Sequence, residues 1–137
     1  MWQDVSVDVN ATDPIDGMNA LLKLTRYYEY ENLTELVEPL VEIGIDVNAT
    51  DAEGWNALHH LCRYYKHNNL IDLIRLLHKS NIEFKVKAKE GSIPFYLSAF
   101  GNNPAMQINV DEIIEILPKE GDFLKIIGKV IISMISL

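Results

Sequence analysis

The 137-residue chain is long enough to bury a core of its own, and its composition, 48% apolar and 23% charged, is that of an ordinary soluble globular protein. A net charge of −8 without any Lys/Arg-rich run excludes nucleic acid as an expected partner, because a polyanion would be repelled. A single cysteine excludes an internal disulfide, and the N-terminus lacks the basic start and apolar segment of a secretory signal, so we expect an intracellular protein, cytoplasmic or nuclear.

Two stretches of the chain repeat each other. The hexapeptide DVNATD stands at Asp8–Asp13 and again at Asp46–Asp51, and a shift of 37 residues aligns Gly17–Ile45 with Gly54–Ile82. The two hexapeptides lie 38 residues apart because the first copy carries one extra residue around Pro14. A period of this length is typical of proteins built from stacked structural units.

Each copy predicts a turn followed by two helices. In the first copy DPIDG favours a tight turn, and Pro39 lies inside the second helix, where the missing hydrogen bond is predicted to kink or shorten it at a cost of about 3 kcal/mol. In the second copy DAEG favours the turn. Apolar residues then recur at helical spacing in two groups separated by the polar KHNN: Ala57, Leu58, Leu61 and Cys62, then Leu70, Leu73, Ile74 and Leu77. Short helices with one apolar stripe must stack on neighbours, which predicts an all-α fold.

The repeated unit resembles a known family. Gly54–Cys62 (GWNALHHLC) is similar to the Gly-x-Thr-Pro-Leu-His-x-Ala-Ala signature of the ankyrin repeat, and GIDVNATD is similar to its closing stretch. A third, more divergent copy begins with Gly91–Ala99 (GSIPFYLSA) and continues, after a longer loop, in Val110–Asp122. The chain departs from the pattern at Asn56, Ala57 and in its period, which exceeds the usual ~33 residues.

The resemblance implies one domain, an all-α ankyrin solenoid of stacked helix-turn-helix units joined by short hairpin-like loops. Its expected divisions are a first repeat at about 13–50, a second at about 51–87, a degenerate third at about 88–124 and an apolar tail or cap at 125–137. The apolar run that ends the tail is too short to cross a membrane, which takes about 20 residues, so no membrane span is expected. We expect a monomer.

Two chemical interpretations compete with this structural one. As a calcium loop, DVNATD would need Gly at position 6 and Glu at position 12 counted from Asp46, and Asp51 and Ala57 stand there instead. The side chains of His59, His60 and Cys62 lie close enough in sequence to suggest a small metal- or ligand-binding domain. The resemblance instead implies a structural His59 and a small buried residue at Cys62. No motif of catalysis or phosphate binding occurs, so we expect neither an enzyme nor a cofactor.

The resemblance places a binding surface on the hairpin tips and on the exposed side of the first helices. We therefore expect a non-enzymatic scaffold that binds another protein, and an inert fragment of a longer array is the alternative. Trp55 is the foremost candidate because tryptophan is enriched in binding hot spots, although its ring could instead pack on the next hairpin. The candidate residues are Met18, Ala52, Glu53, Trp55, Arg26, Tyr27, Arg63 and Tyr64.

A modification site also follows from the resemblance. Ankyrin repeats are substrates of an asparaginyl hydroxylase that takes an Asn after an acidic and an aliphatic residue, with a Leu eight positions upstream. Asn48 follows Asp46 and Val47, and Leu40 stands eight residues before it. Asn10 has no such leucine, so hydroxylation is predicted at Asn48.

Overall fold

The computed structural model describes residues 8–91 together with 94, 103–105, 112, 115, 125 and 128. Within 8–91 the chain forms four α-helices and no strand: α1 (Ala20–Tyr27), α2 (Leu33–Glu42), α3 (Ala57–Tyr64) and α4 (Leu70–Lys79). The all-α prediction is confirmed for this part of the chain. Most of the predicted third repeat and of the tail at 125–137 lies outside the described residues.

An asparagine caps the first helix of each of the two described repeats. The Asn19 side chain accepts a hydrogen bond from the backbone N–H of Leu22 at 3.0 Å, and Asn56 accepts one from His59 at the same distance. In α3 the cap is reciprocal, because Nδ1 of His59 accepts from the backbone N–H of Asn56 at 3.0 Å. Asn56 therefore performs the capping work that a Thr would do at this position.

Pro39 does not shorten its helix, so the shortening that the sequence offered as one of two effects of this residue is wrong. Both α2 and α4 contain 10 residues. The helical hydrogen bonds of α2 continue beyond the proline, since the N–H of Ile43 donates to the carbonyl of Pro39 at 3.1 Å. The carbonyl that loses a donor to the proline is that of Glu35. Because Glu35 and Pro39 are both exposed, water can satisfy that group.

The core lies between the two helix pairs, with α1 packed on α3 and α2 packed on α4. Its largest fully buried side chains come from all four helices: Leu21, Leu22, Leu33, Leu58, Leu61, Leu70, Leu73, Ile74 and Leu77, with His59. Full burial of a leucine or isoleucine contributes about 1.5–3 kcal/mol, so these residues hold the helix pairs together.

Each DVNATD hexapeptide carries an asparagine that bonds to the backbone of the following repeat. We call each such pair of hydrogen bonds a joint. Asn10 accepts from the backbone N–H of Asp46 at 2.6 Å and donates to the carbonyl of Gly44 at 3.4 Å. One repeat later Asn48 makes the same pair of bonds, accepting from Glu83 at 2.8 Å and donating to Asn81 at 3.0 Å. The duplicated sequence thus encodes a duplicated contact.

Three glycines shape the hairpin tips, which are the turns that end at Gly17, Gly54 and Gly91. All three have positive φ, at 74°, 80° and 95°, a region that residues with a Cβ rarely adopt. At Gly54 a Cβ would also lie only 3.3 Å from the backbone of Ala88 in the next tip. The tips are therefore closely stacked turns that each end on a glycine of positive φ, and the first is one residue longer, since the N–H of Gly17 bonds to Asp13 whereas that of Gly54 bonds to Asp51.

Each of these glycines follows an acidic residue: Asp16, Glu53 or Glu90. Backbone hydrogen bonds connect the tips in order, from the N–H of Ala52 to Asp16 at 3.2 Å and from the N–H of Lys89 to Glu53 at 2.9 Å. Carboxylates are therefore presented at matching places on three successive turns.

None of the helices in the described part of the chain combines the length and the apolar character that crossing a membrane requires.

Candidate functional site

Trp55 lies at the centre of a group of aromatic rings. Its ring centroid is 5.8 Å from that of His59, 5.1 Å from His60 and 6.2 Å from Tyr64. The indole N–H donates to the carboxylate of Glu90 on the next tip at 3.1 Å. Trp55 is nevertheless only half-buried. The ring therefore packs within the fold and is also partly exposed at the surface.

Arginines stack on the tyrosines at the ends of α1 and α3. The Arg26 guanidinium lies 3.8 Å from the ring centroid of Tyr64 in the next repeat and 4.8 Å from that of its neighbour Tyr27. The guanidinium of Arg63 lies 5.4 Å from the Tyr64 ring. These are cation–π distances, and the contact of Arg26 with Tyr64 ties the two repeats together.

A buried His–Asp pair lies beneath the Trp55 ring. Nε2 of His60 and Oδ2 of Asp51 are 2.9 Å apart, and their side chains are only 3% and 7% exposed. The other carboxylate oxygen of Asp51 accepts from the backbone N–H groups of Glu53 and Trp55 at 2.9 and 3.0 Å. Asp51 therefore fixes both the hairpin turn and the imidazole.

Burial decides the charge of His60. It lowers the pKa of the imidazole to about 4, with a contribution from the charge of Arg26, although Asp51 acts in the opposite direction. The ring is accordingly neutral at pH 7, with its proton on Nε2 toward Asp51. Nδ1 is buried and has no hydrogen-bond partner within the described structure.

The first repeat carries a lysine where the second carries His60. The Lys23 ammonium contacts the carboxylates of Asp13 at 2.9 Å and Asp16 at 2.6 Å. Hydrogen bonds to both carboxylates raise the lysine pKa, and its ammonium lowers the pKa of each. In the first repeat a permanent cation therefore bridges both carboxylates of the tip and offsets one of their two negative charges.

A cavity of about 330 Å³ opens between the tips and the first helices. We call it the tip cavity; its lining residues are Met18, Arg26, Asp51, Glu53, Trp55, His60, Tyr64 and Glu90. A second cavity of about 440 Å³ adjoins it, shares Arg26 and Tyr64, and is also lined by Tyr27. Ala52 and Arg63 lie outside both linings.

The candidate residues chosen from the sequence thus converge only in part. Five of them, Met18, Arg26, Glu53, Trp55 and Tyr64, line the tip cavity. Met18 is almost fully buried, whereas Glu53 and Ala52 are exposed and Tyr27 is 58% exposed.

Sequence reasoning did not choose Asp51, His60 or Glu90 as partner-contacting residues. The signal for Glu90 was present, because an acidic residue precedes the glycine of every tip. The pairing of Asp51 with His60 was visible only by comparison with Asp13 and Lys23, which occupy the matching positions in the first repeat.

The three residues of the metal-site alternative are each engaged separately in the fold. His59 closes the α3 cap through Nδ1, and His60 holds Asp51 through Nε2. Cys62 is fully buried, and that burial raises the pKa of its thiol, which stays protonated. Across the described residues there is no group of three or more His, Cys, Asp or Glu side chains placed to hold a metal ion.

Asn48, the predicted hydroxylation site, is exposed, but both ends of its amide are bonded to the next repeat. The side chain is therefore held against the next repeat by two hydrogen bonds.

Neither the protein-family models nor the curated proteins include a match to this chain.

Proposed function

We propose that the chain is a stack of about three ankyrin-type repeats that binds another protein through the tip cavity and performs no chemistry of its own. One observation carries the proposal. Side chains from successive repeats converge on one opening: Met18 and Arg26 from the first, Trp55 and Tyr64 from the second, and Glu90 from the next tip.

The repeated contacts support the stacked arrangement. Both first helices begin with an asparagine cap, and both hexapeptides bond to the next repeat in the same way. Asn19 and Asn56 also reach forward alike, donating to the carbonyls of Asp46 at 3.2 Å and Glu83 at 3.1 Å. A unit that contacts mainly its neighbours through repeated bonds is typical of a solenoid.

The chemistry of the cavity favours a protein partner over a small free ligand. Partly exposed tryptophan, tyrosine and arginine side chains are the groups most enriched in protein interfaces. The cavity volume lies at the lower end of the range for small-molecule pockets, and exposed tips form part of its wall. An opening of this kind suits one or two side chains of a larger partner.

The test is site-specific photo-crosslinking from two exposed positions. Ala52 lies on a tip beside the cavity, and Glu35 lies on α2 and lines a different cavity. Each is replaced in turn by a photoreactive amino acid, and the full chain is irradiated in native lysate. We expect a discrete crosslinked protein from position 52 and none from position 35.

Two further variants link that capture to the cavity. Tyr64→Ala and Trp55→Ala should each abolish the crosslink from position 52 while circular dichroism shows unchanged helicity. The proposal is wrong if position 52 captures only what position 35 captures, or if the crosslink survives both substitutions.

A further inference from the structure

The cation that bonds to the acidic tip of the first repeat is replaced in the second repeat by a neutral side chain. Lys23 bonds to both Asp13 and Asp16, and the matching positions in the second repeat are His60, Asp51 and Glu53. His60 reaches Asp51 but is neutral, because burial lowers its pKa to about 4. No basic side chain among the described residues forms an ion pair with Glu53.

We propose that the tip cavity binds an arginine or lysine side chain of an extended basic segment in the partner, with the cation between the Trp55 ring and the carboxylates of Glu53 and Glu90. This inference rests on the proposed function and specifies the chemistry of its partner. The incoming cation would supply to Glu53 the ion pair that Lys23 gives to Asp16 in the first repeat.

The charge of the cavity supports a cation. Its lining holds the carboxylates of Asp51, Glu53 and Glu90 against the single guanidinium of Arg26. The Asp51 side chain is only 7% exposed, whereas Glu53 and Glu90 are exposed, so the latter two are the carboxylates that reach the opening. The chain as a whole has a net charge of −8, which attracts a basic segment over a longer range.

The aromatic rings also favour a cation in the cavity. The Arg26 guanidinium stacks 3.8 Å from the Tyr64 centroid, so the fold already places a cation on one ring of this group. Trp55 presents the best ring type for such a contact, and its N–H bond to Glu90 holds a carboxylate beside the ring. A cation here would meet a ring face and a carboxylate together.

Other occupants fit less well. An acidic side chain would approach Glu53 and Glu90 at close range, and Arg26, which lies over Tyr64, is the only cation in the described lining. An apolar side chain would remove the Glu53 carboxylate from water without giving it a partner, which is unfavourable.

The test uses phage-displayed random dodecapeptides selected on the full-length chain. We expect the enriched peptides to carry arginine or lysine, and their binding to be lost with Trp55→Ala. Replacing the key arginine by citrulline, or the key lysine by acetyl-lysine, should weaken binding about tenfold, the scale of a desolvated cation–π contact with an ion pair.

A matched pair of substitutions locates the charge. Glu53→Gln keeps the size of the side chain and removes its charge, and we expect about tenfold weaker binding of the cationic peptide. It should leave the affinity of the citrulline or acetyl-lysine peptide unchanged. Glu35→Gln makes the same charge change on α2, away from the tip cavity, and should alter affinity less than about twofold.

The outcomes separate this inference from the function on which it rests. Peptides that depend on Trp55 but bind equally well after their cation is neutralised would overturn the inference and leave the proposed function standing. A selection in which no enriched peptide depends on Trp55 would contradict both. Because Glu53→Gln does not disturb the ring group, a misfolded Trp55 variant would not obscure the result.

Discussion

The first and second repeats solve the same local problem with different side chains. Each must hold the aspartate that organises its hairpin turn, and the first uses Lys23 while the second uses His60. The lysine pair is partly exposed and fully charged, whereas the histidine pair is buried and its imidazole is neutral. Both copies have therefore kept a hydrogen bond to the aspartate, but the donor is charged in the first repeat and neutral in the second.

The same comparison applies to the leucines of the second helices. Leu36 and Leu73 occupy matching positions, yet Leu36 is 37% exposed and Leu73 is fully buried. The identical residue thus lies at the surface in one repeat and inside the core in the other. Residue type alone does not determine what a position contributes to stability.

The largest expected effect tests this difference directly. Leu73→Ala should lower the free energy of unfolding by about 2–5 kcal/mol, because it removes buried methyl groups and leaves a cavity. Leu36→Ala should cost about 1 kcal/mol or less, since its side chain is already partly in water. Urea unfolding followed by circular dichroism measures both, and equal losses would contradict the packing described for α2 and α4.

Acid should destabilise the fold through His60. In the unfolded chain His60 takes up a proton near pH 6.5, but in the folded chain only near pH 4. Stability from this group is therefore complete above about pH 6.5 and falls as the pH drops toward 4, by up to about 3 kcal/mol. Urea midpoints measured across this range should decline in the wild type.

The control for that titration is His60→Gln, which cannot take up the proton. Its stability at pH 7 should be lower, but its dependence on pH between 6.5 and 4 should be flatter than that of the wild type. An unchanged slope in the variant would assign the acid sensitivity to other groups.

A smaller loss is expected from the joints. Asn48→Ala removes the acceptor for the Glu83 N–H and the donor to Asn81, at a cost of about 1 kcal/mol for these solvent-accessible bonds. Asn48→Asp keeps the acceptor and should lose less. Asn10→Ala tests the equivalent joint one repeat earlier. If thermal unfolding of Asn48→Ala matches the wild type, these hydrogen bonds do not stabilise the contact between the two repeats.

The predicted modification should leave the fold almost unchanged. We expect intact-peptide mass spectrometry to find one added oxygen on Asn48 and none on Asn10 in cells with active hydroxylase. Since the Asn48 amide is bonded at both ends, modification should follow local opening and increase in destabilised variants such as Leu73→Ala. Absence of the oxygen in both the wild type and that variant would rule out the site.

Periodicity predicted the helical elements because it depends on local spacing. The apolar positions from Ala57 to Leu77 specified α3 and α4, and the repeated asparagines proved to be caps and joints. The shortening at Pro39 did not occur, because water can replace the missing hydrogen bond at an exposed position.

The site was predicted less completely. Trp55 and Tyr64 could be chosen by residue type, but the contact between His60 and Asp51 depends on how a hairpin turn packs against a helix. The charge of that histidine depends in turn on burial, which spacing along the sequence does not give. The sequence thus indicated several of the side chains around the cavity, but it did not indicate the charge of His60.

The asparagine joints place part of the cohesion of this molecule on its outer surface. Asn10 and Asn48 each reach forward to backbone groups of the following repeat, at positions that solvent can enter. A denaturant that competes for amide hydrogen bonds would therefore meet these joints before it meets the leucine core. We therefore expect the contact between the two described repeats to loosen in denaturant before their helices unfold.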